Sequence, residues 1–363
     1  MPQMDHPFGY FKRKSMRINN PMFLGREGKF LAILCASIFV VPFSGAFSQN
    51  PWEMQSQVLY IVLSILGAFS ISRLNPKQRK TVLNSIIVLV VIQGILVILQ
   101  YFKLDPLFNS KNNPATDLPF GFSCSPNQSG VFFGVTLPLV ALVFPWALPL
   151  SIFGLLVAKT SSVWIGCLAG SVLASSYIIK WRMETVLLIA LATTIVFYGY
   201  FEKQSGASIQ ERLDVYSHTT IAAATGKMPL YINDRVITAK WNPIFGCGIG
   251  TFPKLGPHNQ TGYIHAAHRY YHAHNDYIEI FFENGYLGLL TIVMVIINGI
   301  GAFIRAKKTK ILIIVSSCLV VQLVSALGIF VIHTATSGFL LIIMYGLFLG
   351  ETKRNNPKEI QNA

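Results

Sequence analysis

The sequence predicts an all-α, polytopic membrane protein with about ten transmembrane helices and one large, partly helical loop on the outer side. Three observations lead to this fold class. Hydrophobic residues make up 52% of the 363-residue chain and charged residues only 12%, against roughly 25% charged residues in soluble domains. Apolar runs long enough to cross a bilayer recur along the chain. Lysine and arginine are concentrated in alternate connections between those runs.

Ten apolar stretches are predicted as spans. Most of them have or approach the length of roughly 17 to 25 residues that a helix needs to cross the hydrocarbon core. The interiors of the ten stretches contain no Asp, Glu, Lys or Arg. Ion-coupled transporters usually place ionisable groups at mid-membrane, so this pattern argues against a transport cycle and directs attention to the loops. The stretches are 30–47, 58–72, 82–102, 128–144, 146–158, 160–179, 185–201, 286–303, 311–332 and 334–349.

The basic residues predict the orientation of the chain. If the N-terminus is cytoplasmic, five segments that lie in the cytoplasm, the N-terminal one included, contain 19 of the 29 lysines and arginines. This bias follows the positive-inside rule and predicts a cytoplasmic (inner) membrane protein with both termini in the cytoplasm. This topology in the lipid bilayer also accounts for the net charge of +14, so no nucleic acid partner is expected. Basic tails that bind a membrane surface or nucleic acid are the alternative.

Three regions follow from these spans. Residues 1–201 form an N-terminal bundle of about seven spans, and residues 286–363 form about three spans and a cytoplasmic tail. Between them, the periplasmic loop 202–285 contains six of the eight histidines, seven acidic and seven basic residues. Polar loops on a rigid scaffold commonly carry function, so this loop is expected to carry the active site.

The stretch "HRYYHAHNDYIEIFFENGYLGLL" (268–290), at the end of this loop and the start of the next span, contains three histidines, three carboxylates, two asparagines and an arginine. In one continuous helix, His272, Asp276, Glu279 and Glu283 share a stripe, but His274 falls on the apolar side. The conflict disappears if the helix begins near Asn275, a favourable N-cap residue. His274 then lies just outside the helix, where the positive end of the helix dipole keeps its imidazole neutral near pH 7, as a general base requires.

Two alternatives concern the other histidines and the cysteines. His265, His268 and His272 are either surface groups or, together with His274, zinc ligands, although the spacing is not that of an HExxH motif. No metal site and no cofactor are predicted. Cys124 and Cys247 both fall on the predicted outer side, where a disulfide could persist, but a sequence does not show whether they are close.

A glycine-rich segment, "NPIFGCGIGTF" (242–252), precedes the histidines. Gly246, Gly248 and Gly250 stand at alternate positions, which permits either a tight structural turn or close approach of the backbone to a ligand. No strand and helix flank the segment in a βαβ unit, so it is not a dinucleotide-binding fingerprint.

The spacing His274-Asn275, nine residues, Gly285, two residues, Gly288 resembles the hallmark of the O-antigen ligase and Wzy-type polymerase superfamily. Three further stretches resemble family segments in the same order, and the likeness covers roughly residues 120–303. These are Ser-Pro-Asn at 125–127, where the family has an Asn-Pro-Asn-like segment, Thr-Ser-Ser at 160–162, where an arginine is common at the third position, and Pro-x-x-Gly-x-Gly-x-Gly-x-Phe at 243–252.

The resemblance implies a GT-C-like, metal-independent glycosyltransferase. Such enzymes take a glycan from an undecaprenyl-diphosphate carrier and pass it to a hydroxyl of lipid A-core or another glycan on the periplasmic face. Within the superfamily, a polymerase that joins repeat units is the alternative. A transporter of lipid-linked glycans is an alternative from another class.

The resemblance also implies roles for residues. His274 would be the general base, and Arg212 and Arg235 would be the catalytic arginines that stabilise the departing diphosphate. Salt bridges of these arginines with Glu211 and Asp234 are the structural alternative. Substrate contacts are expected from Arg269, Asn275, Glu279, Glu283, Gly246, Gly248 and Gly250. For Glu279 and Glu283, the alternatives are that they hold the histidine region in place or are merely solvated.

Overall fold

The computed structural model describes residues 48, 50–105, 107, 118–123, 125–178, 242–252, 272 and 275–354. These residues form eight α-helices and a 3-10 turn at Pro145–Ala147. Within them the only β-type pairing is an isolated bridge between Asn242 and Gly246. The helices are α1 (Pro51–Ser72), α2 (Pro76–Tyr101), α3 (Pro126–Val143), α4 (Leu148–Ala158), α5 (Ser161–Ile178), α6 (Asp276–Arg305), α7 (Lys310–Ser325) and α8 (Ala335–Arg354).

Eight of the ten predicted spans coincide with these helices. In the described part of the chain, four helices are long and apolar enough to cross a membrane, namely α1, α2, α3 and α6, and shorter apolar helices lie at Pro145–Ala158, Ser162–Ser175 and Lys310–Ser325. The described part of the chain is therefore helical, and its apolar helices indicate a membrane protein. The predicted spans 30–47 and 185–201 lie outside the described residues, so the count of ten remains a prediction.

The predicted span 311–332 is wrong in its C-terminal part. Helix α7 ends at Ser325, and residues 326–334 form a loop that leads into α8. The sequence of this loop is almost entirely apolar, which is why it reads as helix. Irregular backbone is tolerated near a membrane when it is buried in protein and its polar groups are satisfied, and the loop meets that condition through contacts with α6.

Helix α7 lies at the centre of the bundle and packs on α5, α3 and α8, while α8 packs on α1. Two glycines one turn apart, Gly166 and Gly170, allow α5 to approach α7 closely. A Cβ at these positions would lie 2.7 Å from the Val321 carbonyl oxygen and 2.8 Å from the Ser317 carbonyl oxygen. Small residues at such spacing let helix backbones meet where lipid provides no hydrophobic driving force.

The two ends of the bundle carry different contacts. At one end, Arg79 of α2 forms a 2.8 Å ion pair with Glu351 of α8, and Thr309 hydrogen-bonds the same carboxylate. These three residues belong to connections or helix ends that the sequence places in the cytoplasm. At the opposite end, Asn50 reaches the carbonyl of Gly250. The contacts thus group the predicted inner ends together and the predicted outer ends together.

The Arg79–Glu351 pair provides a stability prediction. Both side chains are buried, so an Arg79→Met variant leaves a buried carboxylate without its guanidinium and is expected to lose about 3 kcal/mol of stability. A double variant that also carries Glu351→Met should regain most of this loss. Thermal unfolding in detergent measures both effects, and an Arg79→Met protein as stable as the wild type would contradict the prediction.

Candidate functional site

Helix α6 begins at Asp276 with Asn275 as its N-cap, which confirms the predicted start. The Asn275 side-chain oxygen accepts hydrogen bonds from the backbone N–H groups of the second and third helical residues, at 3.0 and 3.2 Å. Its side-chain nitrogen donates to the carbonyl of Leu327 at 2.9 Å. The cap therefore fixes the helix start and also joins it to loop 326–334.

The acidic stripe of α6 is buried. Asp276, Glu279 and Glu283 have exposed fractions of 0, 0 and 1%. Carboxylates lie away from water only when they are paired or hydrogen-bonded, and here Asp276 and Glu279 each contact an imidazole while Glu283 accepts a backbone N–H. This excludes simple solvation of Glu279 and Glu283. The contacts favour the alternative that they hold neighbouring segments in place.

His333 is the principal site residue that the sequence analysis missed. Its Nδ1 lies 2.7 Å from Asp276 Oδ1, and its Nε2 lies 3.7 Å from Glu279 Oε1. Burial lowers the pKa of His333, but the carboxylates of Glu279, Asp276 and Glu283 outweigh this effect and raise the pKa to about 10. The ring is therefore an imidazolium at neutral pH. The sequence did contain one signal for this residue, because His333 is a lone ionisable residue between the last two apolar runs.

The second oxygen of Asp276 binds the backbone of the same loop. Asp276 Oδ2 accepts hydrogen bonds from the N–H groups of Val331 at 2.6 Å and Ile332 at 2.9 Å. One carboxylate thus serves two backbone donors and an imidazole. Since buried N–H groups require partners, this residue allows an apolar, non-helical segment to pack against α6.

His272 contacts the same cluster. Its Nδ1 lies 2.9 Å from Glu279 Oε1, and its ring packs against Phe330 with the centroids 4.9 Å apart. The His272 side chain is 26% exposed, so one edge of the ring can be reached from outside. This contact of His272 with a buried carboxylate differs from both predicted alternatives, a surface group and a zinc ligand.

The glycine-rich segment 242–252 wraps around a break in helix α6. Gly285 has φ 61 and ψ −156, which interrupts the helix. Four backbone hydrogen bonds of 2.8 to 3.2 Å join the segment to residues 282–287 on both sides of the break. These bonds occupy backbone groups that the break removes from the helical ladder, so the segment and the broken helix form one unit.

The three glycines of this segment all adopt positive φ, 75, 98 and 73 for Gly246, Gly248 and Gly250. A Cβ at Gly246 would lie 2.3 Å from the carbonyl group of Glu283, and one at Gly250 would lie 2.9 Å from the backbone of α1 at Glu53. Contact with other parts of the protein backbone therefore explains why glycine is needed at these two positions. The predicted contact of the glycines with substrate stays a prediction.

Glu283 ties the end of the segment to the helix. Its Oε1 accepts a hydrogen bond from the N–H of Phe252 at 2.9 Å. Burial and the nearby Glu283 carboxylate raise the pKa of the Cys247 thiol to about 12. Cys247 carries a free thiol, and Cys124 lies outside the described residues.

The other two motif segments lie at the same end of the bundle. Thr160 Oγ1 and Asn127 Oδ1 are 3.2 Å apart, which brings Thr-Ser-Ser and Ser-Pro-Asn together. A Cβ at Gly328 would lie 2.7 Å from the Cβ of Ser162, so loop 326–334 packs directly on the start of α5. Through this loop, contacts continue from the N-termini of α3 and α5 to the N-cap of α6.

Several predicted site residues lie outside the described residues, and their roles stay predictions. They are His274, Arg212, Arg235 and Arg269, together with His265 and His268 from the zinc alternative. Within the part of the chain that the structure describes, no group of three or more His, Cys, Asp and Glu side chains could hold a metal ion. The buried carboxylates of α6 and loop 326–334 can orient the His272 ring and fix Asn275, the residue that follows His274 in the chain.

Part of the chain is similar to a known protein family. The sequence model of the O-antigen ligase family matches residues 146–293, a range that includes the glycine-rich segment, the histidines and the acidic stripe. No curated protein matches the chain. The predicted resemblance is thereby confirmed over residues 146–293, which match the model of the O-antigen ligase family.

Proposed function

We propose that the chain is a membrane-embedded glycosyltransferase that moves a glycan from an undecaprenyl-diphosphate carrier to an acceptor hydroxyl. The acceptor is lipid A-core or another glycan, and the reaction takes place on the periplasmic face of the inner membrane. The family match supports an enzyme of glycan processing. The observation that carries the proposal is the convergence of four separate motif segments at one end of the bundle.

That convergence joins distant parts of the sequence. The starts of α3 and α5 meet through Asn127 and Thr160, loop 326–334 bridges to Asn275, and Glu283 binds the glycine-rich segment. Group transfer depends on fixed geometry between reacting groups. A transporter would not need motif segments that are held together in this way beside a histidine-rich sequence.

In the proposed reaction, the oxygen of the acceptor hydroxyl attacks the anomeric carbon of the donor sugar. A new glycosidic C–O bond forms as the C–O bond to the diphosphate breaks. His274 accepts the hydroxyl proton, and the lipid diphosphate leaves as an anion that Arg212 and Arg235 stabilise through planar, bidentate hydrogen bonds. Arg269, Asn275 and the glycines of segment 242–252 are proposed to contact the substrates.

The described residues support the placement of the base. His274 directly precedes Asn275 in the chain, and Asn275 is held by hydrogen bonds to two elements. The buried carboxylates then fix the first two turns of α6 to loop 326–334 and to segment 242–252. A rigid helix start of this kind is what a general base needs for repeated, accurate positioning.

The test is reconstitution of the purified protein in liposomes with an undecaprenyl-diphosphate oligosaccharide and a separate lipid A-core acceptor. A ligase transfers the preassembled glycan to the acceptor in one event, and this is the expected product. Stepwise lengthening of chains on the carrier would identify a polymerase instead. Movement of intact donor across the bilayer without transfer would overturn the proposal in favour of a transporter.

A further inference from the structure

We propose that His333 is a positioning residue for glycan transfer, which holds Glu279 and through it the His272 ring at the start of helix α6. The inference rests on the proposed function and adds a residue from the loop between α7 and α8. Three observations carry it. Both ring nitrogens of His333 face carboxylates, its ring is nearly buried, and one of those carboxylates continues to His272.

The first observation is the fixed environment of the ring. Asp276 Oδ1 lies 2.7 Å from Nδ1, and Asp276 Oδ2 is occupied by two backbone N–H groups of the same loop. Asp276 is therefore held in one orientation and makes Nδ1 a hydrogen-bond donor. Nε2 then faces Glu279 Oε1 at 3.7 Å, which is an ion-pair distance.

The burial of His333 and the shared carboxylate of Glu279 connect His333 with His272, the more exposed histidine. Glu279 Oε1 also lies 2.9 Å from His272 Nδ1. A carboxylate at Nδ1 fixes the orientation of the His272 ring. The His272 side chain is 26% exposed, whereas that of His333 is 10% exposed. His333 thus acts through Glu279 on His272, whose ring is partly exposed.

Loss of the His333 charge changes the whole cluster. The carboxylates of Asp276, Glu279 and Glu283 would then share a buried region without the imidazolium that faces them. Glu279 is expected to take up a proton or rotate away, because buried like charges disfavour ionisation. Either change releases the His272 ring, which lies two residues before His274 in the chain. A displacement of about 1 Å at a reacting centre can cost about 100-fold in rate.

The experiment compares His333→Asn, Glu279→Gln and the double variant in the liposome transfer assay. Asparagine can still donate to Asp276 but carries no charge, and glutamine keeps the volume of Glu279 without its charge. Each single variant is expected to lower kcat by roughly 10- to 100-fold and to change the KM for the lipid-linked donor by less than about threefold. The double variant should be no slower than the slower single variant, since both act through one link.

The pH dependence of stability gives a readout that does not need turnover. The pKa of His333 is raised to about 10 in the folded protein, from about 6.5 in an unfolded chain. Its stabilising contribution is therefore complete below about pH 6.5 and is lost as the pH rises toward about 10. The melting temperature of the wild type should fall over this window more steeply than that of His333→Asn. In the described part of the chain, the titratable groups that face His333 or its partners are Asp276, Glu279, Glu283 and Tyr277 of α6, His272, Cys247, and Tyr60 of α1.

Thr334→Val is the matched control. The Thr334 hydroxyl hydrogen-bonds Ser337 and the carbonyl oxygen of Val331 in the same region, and its hydrogen bonds do not involve the carboxylates. This variant should lower the melting temperature but keep kcat. If His333→Asn also kept kcat within about twofold while losing stability, the role would be structural and the proposal overturned.

Two further outcomes are separable. Should His333→Asn fail to fold, Glu279→Gln decides, and unchanged kcat in that variant overturns the proposal. A wild-type protein without any transfer activity would overturn the proposed function itself, which is a different result from wild-type transfer that His333→Asn leaves intact.

Discussion

A His274→Ala variant is expected to lose glycan transfer by about 10²- to 10⁴-fold, the usual contribution of a positioned general base. The acceptor hydroxyl must lose its proton as it attacks, and alanine cannot accept it. Binding of the lipid-linked donor should persist, because the donor is held by its diphosphate and sugars and not by the base. The measurement is initial transfer rate in liposomes beside equilibrium binding of a fluorescent undecaprenyl-diphosphate oligosaccharide.

The control for this variant is His258→Ala, which removes a histidine of the same loop outside the His-Asn motif. Its transfer rate should match that of the wild type. Normal transfer by His274→Ala, with His258→Ala also normal, would remove the general-base role from His274. His272, with its Nδ1 held by Glu279, would then be the described histidine with the geometry for that role.

Replacing Gly285 with alanine is expected to cost about 3 kcal/mol or more of stability and to abolish transfer. Its backbone lies at φ 61 and ψ −156, in a region that is essentially restricted to glycine and costs other residues about 1 to 3 kcal/mol. In addition, a Cβ would lie 2.5 Å from the carbonyl oxygens of Pro243 and Ile244. Both contacts are with backbone, so relief requires the glycine-rich segment to move away from α6.

Gly299→Ala on the same helix is the matched control. Among the described residues, a Cβ there would meet only Phe348, at 4.0 Å, so its effect on stability should stay within about 0.5 kcal/mol. Thermal unfolding in detergent and transfer rate test both variants. A Gly285→Ala protein with wild-type stability would show that the break in α6 is not required.

Local chemistry made part of the site predictable. The start of α6 follows from Asn275 because an N-cap depends on a side chain and the next three residues, which the sequence displays directly. The stripe of Asp276, Glu279 and Glu283 follows from helical periodicity for the same reason. Eight of the predicted spans coincide with helices because length and apolar composition are also local properties.

Contacts between distant residues were not predictable in this way. His333 and Asp276 lie 57 positions apart, and nothing in either local sequence indicates that they form a pair. Loop 326–334 has the composition of a membrane helix, and its irregular shape depends on a carboxylate from another helix. The glycines of segment 242–252 pointed to a turn or a ligand, whereas the structure places two of them against protein backbone.

By itself, then, the sequence determined the helical membrane class, the resemblance to the O-antigen ligase family and the start of the helix that follows His274. Only the tertiary structure decided that three buried carboxylates connect this helix to His333, to His272 and to the glycine-rich segment. The physical reason is that hydrophobic length and capping act over a few neighbouring residues, whereas burying a charge requires a partner that any part of the chain can supply.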